Sequence, residues 1–192
     1  MATKDEFLKN AFIYNSINAA VQHNGLYSTL DTQETRRAVR QAFSQCLAEY
    51  IEPFLSRSPT TPPIISLYTG KGWSPTEGEF LSAIEQLHDA MRSTLSAAES
   101  QGTFRVSHAQ KSLALLLKYY WCDCKTRKDP PFCPIDREIL HKAGITDSWT
   151  KLDDMDQYEA WLRKLKATAE DAGYPSLAAW ELAVYVSGPR GT

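Results

Sequence analysis

Five short motifs cut this chain into helices before its composition is considered. Thr3/Glu6, Asp31/Glu34, Ser74/Glu77, Ser107/Gln110 and Asp154/Gln157 each place a hydroxyl or carboxylate three residues ahead of a Glu or Gln. That is the capping-box spacing. The first side chain accepts an orphan N–H of the opening turn, and the second reaches back to the cap's own N–H. Pro75, just after Ser74, suits a first helical position because its fixed φ matches and its missing N–H is not needed there. Stops are equally legible. Asn24-Gly25, Gly102, Gly144 and Gly173 sit just past apolar segments, where a left-handed cap residue is wanted.

Apolar periodicity fills the gaps between these signals. Phe80, Ile84, Leu87, Met91, Leu95 and Ala98 recur every three or four residues, as do Val39, Phe43, Cys46, Leu47 and Tyr50. Met155, Tyr158, Leu162, Leu165 and Ala169 form a third stripe, with Glu159 and Arg163 four apart on the other side. Each stripe is one face of an amphipathic helix. The run Leu113 to Leu117 leaves no polar face, so the helix carrying it belongs at the centre of the fold. Shorter helices are expected over Pro134–Ala143 and Leu177–Val186.

The fold expected is therefore all-α: one irregular helical bundle of six or seven helices around a central buried helix at about 107–121. It spans 1–186, with a flexible tail over 187–192. Between Ser56 and Trp73, prolines and glycines mark a long connection, in which Ile64 to Tyr68 (IISLY) is a candidate extended segment. A hydrophobic fraction of 43% and a charged fraction of 23% exclude wholesale disorder. The net charge of −2 argues against a protein that coats nucleic acid by bulk electrostatics, though a local basic patch survives that argument. No stretch reaches the roughly 20 apolar residues of a membrane span, and no export signal is visible, so a cytoplasmic protein without a membrane partner is expected. In that reducing compartment Cys46, Cys122, Cys124 and Cys133 are free thiols or metal ligands rather than disulfides.

Chemistry-bearing residues concentrate between Lys118 and His141. Cys122, Cys124, Cys133 and His141 are four residue types that suit tetrahedral zinc, although C-x-C is a rare ligand spacing. The expectation is a protein with no cofactor, with zinc as the candidate metal. Lys118, Tyr119 and Trp121, followed by Lys125, Arg127 and Lys128, interleave stackable rings with phosphate-seeking cations and suit single-stranded nucleic acid. The cations would also lower a nearby thiol pKa, as a redox cysteine needs. Asp136, Arg137 and His141, with Asp129 nearby, form a third set of hydrolytic type. Yet the sequence holds no glycine-rich phosphate loop, G-x-S-x-G or H-E-x-x-H, which leaves catalysis without a motif.

The bland reading of each set is core packing or a solvated helix face. Five tryptophans and nine tyrosines exceed what a helical core of this size requires, and Trp73, Trp149, Trp161 and Trp180 are candidate anchors for a partner. The function expected is thus a helical binding or regulatory protein. Its surface lies near residues 118–141, and its partner is another protein or a second copy. Single-stranded nucleic-acid binding is the alternative, and a hydrolase-type enzyme the third.

Overall fold

A computed structural model describes residues 3–22, 26, 30, 32–55, 76–98, 102–123 and 129–187. Among them are seven α-helices: α1 (Lys4–Val21), α2 (Gln33–Leu55), α3 (Glu77–Ala97), α4 (Val106–Cys122), α5 (Arg137–Lys142), α6 (Met155–Asp171) and α7 (Leu177–Ser187). A 3₁₀ turn at Trp149–Lys151 precedes α6, and the described residues contain no strand. The all-α expectation holds. The candidate extended segment at 64–68 and most of the expected tail lie outside the described residues.

Local sequence explains the helix ends, with three corrections. For α2 the cap is Thr32 rather than Asp31, with Thr32 Oγ1 accepting the Thr35 N–H at 3.0 Å. Thr3 and Glu6 close a reciprocal capping box, with Glu6 N–H donating to Thr3 Oγ1 at 3.1 Å and Thr3 N–H to Glu6 Oε2 at 2.7 Å. Asp154 caps α6 by accepting the Gln157 N–H at 2.9 Å. For α3 the box is Thr76/Glu79 rather than Ser74/Glu77, so the helix starts two residues later than Pro75 suggests. The spacing rule was satisfied twice in six residues, and the chain uses the second copy. The start of α4 departs further. Ser107 lies inside the helix, fully buried, and Gln110 faces away from it. Arg105 is the cap residue instead, and His108 accepts its N–H.

At the other ends, Gly144 (φ 64°) and Gly173 (φ 78°) terminate α5 and α6. Each sits in a Schellman motif, where Ile145 N–H returns to Leu140 O at 2.9 Å and Tyr174 N–H to Ala169 O at 3.0 Å. A Cβ at either glycine would be strained by the positive φ.

Packing follows the stripes. α4 runs between α1 and α3, α2 closes against α1 and α3, and α6 carries α7. Val39, Phe43 and Leu47 of α2, Phe80 to Leu95 of α3 and Tyr158 to Ala169 of α6 meet α4 in one apolar cluster to which every helix contributes. Aromatic rings pin its corners. Phe43 meets Phe104 edge-on at 5.1 Å, and Phe80 meets Phe132 at 5.5 Å. Leu113, Leu116 and Leu117 are buried, which places α4 at the centre as their unbroken apolar run requires. Cys46 is half-buried on α2 beside this core, in keeping with a packing role.

Candidate functional site

Helix α4 is the core helix, yet it takes charge into the interior. Lys118 Nζ donates to Glu181 Oε2 of α7 at 2.6 Å, with the two side chains only 11% and 6% exposed. Such a pair forgoes hydration on both sides and persists because each charge has a close partner. Burial pushes the Glu181 carboxyl up, and the neighbouring Lys118 ammonium pulls it back. The same ammonium sits 4.6 Å from the centre of the Tyr185 ring, also on α7.

Seven residues earlier, on the same side of the helix, Lys111 repeats the arrangement. Its Nζ is 3.6 Å from Asp136 Oδ2 and 4.2 Å from the centre of the Trp149 ring. Burial lowers the Lys111 pKa, and Asp136 opposes that shift. Immediately before Lys111, Gln110 clamps the chain before α5. It donates to Ile135 O at 2.9 Å and accepts Ile135 N–H at 3.2 Å. All the polar atoms of that amide pairing lie away from water, where an unmade bond is most costly.

Cys133 belongs to this interior. Burial, reinforced by the Glu181 charge, raises its pKa well above the ordinary thiol value. A thiol so placed stays protonated and is a poor nucleophile, contrary to what flanking cations suggest for a redox cysteine. Cys122, by contrast, is exposed at the end of α4, and His141 is exposed on α5. Among the described residues no group of three or more His, Cys, Asp or Glu side chains is arranged to hold a metal, and Cys124 lies outside them.

The basic and aromatic set is divided in the same way. Lys118 is engaged by Glu181, Tyr119 stacks on Phe12 of α1 at 5.3 Å and 16°, and Trp121 is half-buried. Lys125, Arg127 and Lys128 lie outside the described residues. Of the hydrolytic set, Asp136 caps α5 by accepting the N–H groups of Glu138 and Ile139 at 3.1 and 3.2 Å. Arg137 and His141 are exposed on that helix, and Asp129 accepts from Ser176 at the start of α7. These contacts give Asp136 and Asp129 structural work at helix starts.

The tryptophans expected as anchors are interior groups. Trp149, Trp161 and Trp180 are 6%, 4% and 4% exposed, and Trp161 Nε1 donates to Asp147 at 2.9 Å. Trp73 lies outside the described residues. What the sequence reading missed is the part that Glu181 of α7 plays. Glu181 is the one acidic or basic residue in that helix's eleven (LAAWELAVYVS), and it points inward. The outer positions Tyr185 and Val186 are 54% and 66% exposed. A lone charge in so apolar a helix was the available signal. Helices normally turn such a charge to water, so the pattern alone assigns Glu181 to the wrong face.

Protein-family models, curated proteins and solved structures yield no match to this chain. No described helix is long and apolar enough to cross a membrane.

Proposed function

We propose that this is a cytoplasmic helical binding or regulatory protein whose contact surface joins the outer face of α7 to the C-terminal end of α4. One observation carries the reading. With Glu181 turned inward, α7 offers no ionised group to solvent across its length and exposes Tyr185 and Val186 beside Lys118. Exposed apolar groups next to one another on one helix are uncommon on a free surface and common where another protein docks. The large apolar residues exposed on α1 differ, because Phe7 and Tyr14 stand two turns apart rather than side by side.

The surface lies at the edge of the 118–141 region and shares Lys118 with it. Its chemistry favours an apolar protein surface as partner over a phosphate backbone, since Lys118, the cation of that surface, is neutralised by Glu181. The test replaces both exposed residues with Asp, Tyr185→Asp with Val186→Asp, and compares variant and parent as bait for co-purifying proteins and in light scattering. Loss of a bound partner, or of concentration-dependent mass, with helix content unchanged is the expected result. A variant that keeps every partner and the same mass removes α7 from the binding surface.

A further inference from the structure

The first turn of α4 is fastened by an imidazole. The Arg105 N–H, one of the donors every helix start leaves without an internal partner, donates to His108 Nδ1 at 2.9 Å. His108 is fully buried, and its ring stacks on Phe104 at 5.0 Å and 26°. The far nitrogen, Nε2, has no hydrogen-bond partner among the described residues. An imidazole that accepts at Nδ1 carries its proton on Nε2, and a second proton would turn Nδ1 into a donor. Capping and protonation of His108 therefore exclude each other.

The surroundings keep the ring neutral. Burial is the main reason its pKa falls from 6.5 to about 4, and the Arg105 guanidinium adds to the fall while Asp153 draws the other way. His88 of α3 also faces the site and holds Asp153 at 3.2 Å and Asp89 at 3.3 Å. Asp153 in turn accepts the Val106 N–H at 3.2 Å, and Leu152 O accepts the Ser107 N–H at 3.0 Å. The start of the central helix, the end of the 3₁₀ turn and α3 thus meet around one titratable ring. From α2 the group is approached through Phe43, which meets Phe104.

We propose that His108 is an acid-released cap: neutral, it ties Arg105 to the first turn of α4, whose next two N–H groups hold the loop at Leu152–Asp153, and protonated, it frees that turn. The direction follows from linkage. The unfolded chain takes up the proton near pH 6.5 and the folded chain only near 4, so the folded state is favoured fully above 6.5 and progressively less as pH falls to 4. On those values the unfolding constant rises roughly 20-fold from this one group between pH 7 and pH 5, and about 300-fold at its limit.

His108→Gln separates cap from proton, because Gln at the third helical position can accept the same N–H and does not titrate. Denaturant unfolding at pH 7 and pH 5 should show the parent losing on the order of 20-fold more than the variant. In the parent, NMR should find the His108 ring still neutral at pH 5, with exchange of the amides of Val106 to Ala109 quickening below that. Equal losses in parent and variant would overturn the proposal, as would a His108 ring that titrates near 6.5 in the folded protein. The ring titration needs only the parent, so it decides the matter even if the variant does not fold.

Discussion

Helices α4 and α6 are each seventeen residues long and solve the same problem in opposite ways. α6 sorts its residues by face. Tyr158, Trp161, Leu162, Leu165 and Ala169 point in, while Glu159, Arg163, Lys164 and Glu170 point out. α4 has neighbours on most sides and cannot sort. Ser107, His108, Gln110, Lys111 and Ser112 are all buried along with Leu113, Leu116 and Leu117. Their polar atoms must then find partners inside the protein, and most do, through Arg105, Ile135, Asp136 and the helix's own backbone. A flanking helix is specified by its pattern. A central helix is specified by what its polar side chains reach.

The largest effect that would test this contrast lies at the buried ion pair. Glu181→Ala leaves Lys118 charged in the interior and should cost about 3–5 kcal/mol in denaturant unfolding. Replacing both partners with apolar residues of similar size, Lys118→Met with Glu181→Leu, should return most of that loss. A single variant that loses under about 1 kcal/mol would mean that Lys118 reaches water without its partner, and α4 would then be closer to α6 than its burial suggests. Next in size is the apolar side of α4. Leu116 is 1% exposed, and Leu116→Ala should cost about 2–5 kcal/mol by leaving a cavity at the centre of the fold.

How far the sequence could be read follows the same division. The number of helices, the stripes on α2, α3 and α6, the cap at Asp154 and the glycine stops at 144 and 173 were all legible, because each depends on residues within one or two turns. The Leu113–Leu117 run also placed α4 correctly. Gln110 was not legible. Its spacing from Ser107 satisfies a local motif, but Ile135, twenty-five residues on, supplies two hydrogen bonds that the local cap does not. Lys118 reads as a surface cation for the same reason. Its partner is sixty-three residues away on α7. The candidate site was legible as a region and not as a set of contacts, since burial of a charge is decided by distant chain.

The smallest effect tests the α6 side of the contrast. Asp154 is exposed and caps α6 by accepting the Gln157 N–H at 2.9 Å, a bond contained within one turn. Asp154→Ala removes that acceptor and leaves one orphan donor at a helix end that water can reach. The loss should be about 1 kcal/mol, and Asp154→Asn or Asp154→Ser should recover most of it, because either side chain accepts the same N–H. Water can replace the lost partner here, as it cannot at Glu181, and this difference in solvent access makes the expected cost several times smaller. A cost near that of Glu181→Ala would show that the start of α6 carries packing as well as a cap, and the sorting of α6 by face would no longer account for its stability.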